Sequence, residues 1–106
     1  MGKSKNRALE LFRQSLPRIK KRFKPERLYL FGSQTKGESL TNSDLDVVIV
    51  SEQFRPIKFI DRISAVLELI EPPVAIDLLC YTPEEFKRKK EEIGIVRESL
   101  KYKIDL

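Results

Sequence analysis

Six consecutive residues, Leu45-Asp46-Val47-Val48-Ile49-Val50, constrain the fold more than any other stretch. β-branched side chains lose rotamers in a helix and fit a pleated strand. Alternate strand residues point to opposite faces, so a run that is apolar at both parities needs cover on both sides. The stretch therefore predicts a central strand, with Asp46 as its one discordant side chain. Two further apolar runs follow the same logic: Arg27 to Phe31 (RLYLF), and Val74 to Tyr81 (VAIDLLCY), which carries only Asp77 as a charge.

Between these runs the period changes from two to three or four. Over residues 6–23, Leu9, Phe12, Leu16, Ile19 and Phe23 recur on one helical face with Lys and Arg opposite. Pro17 lies inside that pattern and is expected to kink the helix or split it. Pro56 is expected to open a second helix with Ile60, Ile63, Leu67 and Ile70 on one face. Thr82-Pro83-Glu84-Glu85 has the cap, first-turn proline and first-turn acids of a third helix start. Gly94 ends that helix, a short helical turn follows through Arg97, and the tail Lys103-Ile104-Asp105-Leu106 adds an edge strand. The order predicts a small α/β (α+β) domain spanning residues 1–106, a mixed sheet backed by helices on one face.

Composition narrows the chemistry. The 106 residues are 41% apolar and 35% charged, the balance of a soluble globular domain. The chain contains no histidine, which removes histidine general bases, Ser-His-Asp and Cys-His systems and His-ligated zinc together. If the chain is an enzyme, carboxylates do the work. Cys80 is the single cysteine, so an intrachain disulfide is excluded. No apolar run approaches the length that crosses a bilayer, and the N-terminus lacks the apolar core of a signal peptide, so a cytoplasmic protein without membrane contact is expected. Residues 1–27 hold ten Lys/Arg against Glu10 and Glu26, a balance of +8, while the remainder has a balance of −3. A basic segment of this kind is ordinarily a solvated helix face, and no aromatic residues interleave with it, so nucleic acid ranks last among partners.

Asp44 and Asp46, two residues apart at a strand start, point to the same face with Cα atoms about 6.5–7 Å apart. Two such carboxylates can converge on one cation. A two-metal site needs a third, and Asp77 is the candidate from a neighbouring strand. Gly32-Ser33, directly after the first strand, allows a tight turn and offers a hydroxyl and backbone N–H groups to a phosphate. Gly37 relaxes the same loop, and Lys36 is a candidate phosphate contact. Each feature alone has a plainer explanation: a simple turn, a polar loop end, a core carboxylate paired with an arginine. Their conjunction favours a metal–nucleotide site.

The spacing Gly32-Ser33, ten residues, Asp44-Leu45-Asp46 resembles the nucleotidyltransferase signature of the DNA polymerase beta superfamily. The short length resembles its minimal nucleotidyltransferase branch. The resemblance implies a mixed sheet backed by helices, with two Mg²⁺ ions bound by Asp44, Asp46 and Asp77. It also implies ATP as a substrate whose triphosphate lies on Gly32 and Ser33, and transfer of its nucleoside monophosphate to a hydroxyl. Minimal nucleotidyltransferases of this kind are commonly paired with a HEPN-domain toxin, which implies an antitoxin that transfers AMP to a tyrosine of that partner. Neutralisation by binding alone is the alternative. Lys36, where the family often has arginine, and the Lys103–Leu106 tail depart from the family pattern.

Overall fold

The computed structural model describes residues 2–31, 45–71, 74–101 and 103–106. The elements run α1 (Gly2–Phe23), β1 (Arg27–Phe31), β2 (Leu45–Val50), a 3₁₀ turn (Glu52–Phe54), α2 (Phe59–Leu67), β3 (Ile76–Tyr81), α3 (Pro83–Glu91), α4 (Ile95–Ser99) and β4 (Lys103–Asp105). They form one four-stranded mixed sheet in the order β3-β2-β1-β4. β2 runs parallel to β3, and β1 is antiparallel to both β2 and β4. β2 is internal, and every residue in it except Asp46 is buried, as a strand apolar at both parities requires. The edge strand expected in the tail is β4, tied further by the Leu106 N–H donating to the Leu28 carbonyl at 2.9 Å. Among the described residues no helix is long and apolar enough to cross a membrane.

The two faces of the sheet are covered differently. Phe12, Leu16, Ile19 and Phe23 of α1 pack with Val66, Ile70 and the strand residues Leu28, Val47, Ile49, Leu78 and Cys80 in the larger core. Burial there pushes the Cys80 thiol up to about 12, so it stays a small apolar filler. On the other face Phe86 of α3 and Val96 of α4 meet Tyr29, Val48, Val50 and Tyr81. Backing by helices on one face thus describes α1 and α2, and α3 with α4 adds a partial second layer. The added layer is what Val48 and Val50 need, since both point away from α1.

Two local expectations are corrected. Pro17 does not split α1, which is continuous from Gly2 to Phe23. Its ring is on the solvent side, while Phe12 and Leu16 before it and Ile19 and Phe23 after it are buried in one cluster. Burying four large side chains outweighs one missing backbone hydrogen bond. Pro56 does not open α2, which starts three residues later, and only half of the expected face turns inward: Ile63 packs against the core and Ile70 is buried just beyond the helix. Ile60 is 75% and Leu67 42% exposed, whereas Arg62 and Val66 are buried. Arg62 donates to the Ile57 carbonyl (2.9 Å), the Cys80 carbonyl (3.1 Å) and both carboxylate oxygens of Glu85 (2.7 and 3.4 Å). A buried arginine with this many acceptors fixes the rotation of a nine-residue helix that periodicity alone cannot set.

The expected cap at Thr82 is complete. Its hydroxyl accepts from the Glu85 N–H, the Glu85 carboxylate accepts from the Thr82 N–H, and Pro83 occupies the first turn. Glu85 therefore serves both the cap and Arg62, and the guanidinium beside it holds its carboxyl below the usual carboxylate range. Ser51 is a second junction, buried between elements. Its N–H donates to the Tyr81 carbonyl at 2.9 Å, and its hydroxyl donates to the Phe23 carbonyl at the end of α1 and accepts from the Gln53 N–H.

Candidate active site

The site is built from the ends of strands. In the parallel ladder of β2 and β3, Asp46 is paired directly with Asp77. Adjacent strands lie about 4.8 Å apart, and paired residues present their side chains to the same face. Which face follows from the neighbours. Val48 and Val50, two and four residues beyond Asp46, belong to the α3/α4 cluster, and so do Leu79 and Tyr81 beyond Asp77. Both carboxylates therefore lie on the partly covered face, at the second position of their strands. Phe86 and Val96 cover the opposite, C-terminal end of those strands. Asp46 and Asp77 are each half-buried.

Register extends the row across the sheet. One step beyond the last recorded β1–β2 pair, Leu30 with Val47, Phe31 comes beside Asp46. Phe31 is in turn paired with Lys103 of β4. Asp77, Asp46, Phe31 and Lys103 thus cross the four strands in one line. Lys103 donates to the Asp105 carboxylate at 2.8 Å and is 26% exposed. The sequence did not single out Phe31. Its signal was its place immediately before Gly32 at the end of a strand. Of the predicted site residues, Asp46 and Asp77 are brought together, while Gly32, Ser33, Lys36, Gly37 and Asp44 lie outside the described residues. Asp44 directly precedes β2, and Gly32 directly follows β1.

A packed cluster lies beside the row on the same face. Ser99 of α4 donates to the Val96 carbonyl at 2.6 Å, so the Tyr29 hydroxyl, 2.8 Å away, is the donor to Ser99. Burial pushes the Tyr29 hydroxyl pKa up, which keeps it neutral and donating. The Tyr29 and Phe86 rings meet edge-on, their centroids 6.4 Å apart, and lock α3 to β1.

Mg²⁺ takes a few carboxylates and completes its shell with phosphate oxygens and water. Two adjacent, half-exposed aspartates on one face are donors of that kind, so the residues fit the ion. Among the described residues no group of three or more His, Cys, Asp or Glu side chains forms a complete metal cage. A third carboxylate is available in sequence at Asp44, one residue before β2.

Comparison with known proteins agrees with this geometry. The chain is similar over 97% of its length, with a TM-score of 0.61 and 24% identity, to the crystal structure of a nucleotidyltransferase of provisional assignment from Sulfolobus solfataricus. The match covers 82% of that protein and bears on the fold. Among curated proteins none matches the sequence. The model of the nucleotidyltransferase domain matches residues 12–106, a span that contains all four strands and both aligned aspartates. The chain belongs to the nucleotidyltransferase domain family.

Proposed function

We propose that the protein is a cytoplasmic, Mg²⁺-dependent adenylyltransferase that moves AMP from ATP to a hydroxyl, a tyrosine of a HEPN-domain toxin, and so acts as its antitoxin. The observation that carries this reading is the direct pairing of Asp46 with Asp77, both half-buried, on one sheet face. Asp44, Asp46 and Asp77 would hold two Mg²⁺ ions. When bound, these would neutralise phosphate charge and polarise the α-phosphate. Gly32 and Ser33 would hold the triphosphate, with Lys36 and Gly37 in the same loop. Asp77, on the edge strand, is reachable by a docked protein and would help to draw the proton from the incoming hydroxyl at a carboxylate oxygen. The acceptor oxygen forms the new bond to the α-phosphorus, the bond from that phosphorus to the bridging oxygen breaks, and pyrophosphate leaves.

The test is incubation of the purified protein with Mg²⁺, α-labelled ATP and the HEPN partner. Transfer of label that is lost in Asp46→Asn and on chelation supports the reading, and neutralisation without any label transfer removes it. The second reading, neutralisation by occlusion, is favoured by a separate observation: Phe59, Ile60 and Leu67 leave apolar surface of α2 exposed, where a partner could be held without chemistry. It predicts that Asp46→Asn neutralises as well as the wild type.

A further inference from the structure

The larger helical layer has a feature that nucleotidyl transfer does not use. At the C-terminal end of α1, Arg18, Lys21, Arg22, Lys24, Gln53 and Leu69 line a groove of about 480 Å³. Four of these six residues are cations and none is acidic. Chain segments of high charge are ordinarily solvated, and α3 with its C-cap shows what that looks like: Lys87, Arg88, Lys89 and Lys90 stand against Glu84, Glu85, Glu91 and the capping Glu92, four charges of each sign. Residues 18–24 carry five cations and no acid.

The groove is also partly organised before any ligand arrives. Arg18 donates through Nε to the Leu69 carbonyl (2.9 Å) and through Nη2 to the Ser15 hydroxyl (3.2 Å). Ser15 is fully buried and accepts in addition from the Glu71 N–H at 3.2 Å. Arg18 is thereby held at the groove wall, with Nη1 outside both bonds. The Arg22 guanidinium lies 4.6 Å from the centroid of the Phe23 ring, a stack that suits its flat, weakly hydrated group. Lys24 takes the left-handed conformation (φ 45°) that ends α1, its N–H donating to the Lys20 carbonyl.

We propose that this groove binds the phosphate backbone of a nucleic-acid duplex. The carbonyl end of α1 opposes an anion with about half a charge, which four lining cations outweigh. A single phosphate would leave most of that charge unmatched. The basic row is confined to residues 18–24: the exposed Arg7, on the same side of α1, is separated from Arg18 by Glu10, Leu11 and Gln14. A duplex, with a charge every ~1.7 Å of axis, sets several phosphates at once against the four clustered cations. A single strand is a poorer match, because stacking needs exposed aromatic rings and Phe23 is fully buried. Arg18 and Leu69 belong to the α1/α2 layer, so the groove lies across the sheet from Asp46 and Asp77 and does not depend on them.

The test is fluorescence anisotropy of a labelled, mixed-sequence 20-base-pair DNA duplex with the full-length chain between 50 and 200 mM salt. Three or four phosphate contacts give a log–log slope of about −3. Arg18→Glu/Arg22→Glu is expected to weaken binding at least tenfold, whereas Lys87→Glu/Lys89→Glu on α3 changes it less than twofold. Because Arg18 also joins α1 to Leu69, Lys21→Glu/Arg22→Glu is made in parallel, with a thermal melt, and is expected to give the same tenfold loss in a folded protein. Absence of binding at 50 mM salt, equal losses from the α1 and α3 pairs, or tighter binding of the single strand overturns the proposal. Displacement by poly-glutamate as effective as by unlabelled duplex also overturns it and points to an acidic protein. Asp46→Asn is expected to bind the duplex as the wild type does, so this outcome is separable from the fate of the transferase reading.

Discussion

The two faces of the sheet divide stability from chemistry. The face under α1 and α2 is closed by large apolar side chains, with Phe12, Ile19, Phe23, Val47, Ile49 and Val66 all fully buried. Among the described residues the face under α3 and α4 is closed only at one end, around Tyr29, Val50 and Phe86, and at the other it presents paired aspartates. One central strand serves both: Val47 and Ile49 point to the first face, and Asp46, Val48 and Val50 to the second. A carboxylate that points into a closed core would cost several kcal/mol or lose its charge. The half-buried end of the second face is where β2 can carry one.

If the faces are separable, substitutions on them should affect different measurements. The largest expected effect is on activity. Asp77→Asn should lower nucleotidyl transfer about 10³-fold or more while leaving the thermal midpoint within a few degrees. A melt that falls together with activity would break the division. On the opposite face Phe12→Ala should cost about 3–5 kcal/mol in denaturant unfolding, as truncation of a fully buried phenylalanine does.

Arg62→Ala should cost about 2–3 kcal/mol, somewhat below the full cost of breaking a buried pair because the Glu85 side chain is 32% exposed. Arg62→Met should lose less, since it fills the site without leaving a charge. The pair also has a pH signature. The Glu85 carboxyl is held below its ordinary value of 4.5, so its stabilisation is complete above that value and fades as pH falls through the lowered one. The stability gap between wild type and Glu85→Gln should therefore be constant near neutrality and narrow below about pH 4.5, as read by unfolding at a series of pH values. The smallest expected effect is Thr82→Ala, about 1 kcal/mol for one lost cap, measured in the same way and without a change in transfer.

Much of this fold was legible from local pattern. The strands around Leu28, Val47 and Leu78 announce themselves by β-branched and apolar runs, and the start of α3 by Thr82-Pro83-Glu84-Glu85, because cap and proline act within a few residues of themselves. The rotation of α2 was not legible. Ile60, Ile63 and Leu67 form a proper helical stripe, yet of these only Ile63 packs on the core, and Arg62 is buried with Val66 because its partners Cys80 and Glu85 lie 18 and 23 residues away. The persistence of α1 through Pro17 was hidden for the same reason: the contacts that override the proline are made with other elements. In the site, the chemical types of Asp46 and Asp77 were readable, whereas their pairing depends on a ladder between strands that α2 separates.

The sequence by itself determined the kind of molecule: a small α/β domain without histidine, in which aspartates such as Asp46 and Asp77 are the candidates for the chemistry. Side-chain chemistry, strand alternation and helix caps are local properties, and they survive in the chain before it folds. Tertiary structure decided which aspartates meet, which face they open on, and which cations of α1 gather around one groove. Those outcomes depend on register and on the packing of distant elements, where free energy is summed over the whole core and no short stretch contains the answer.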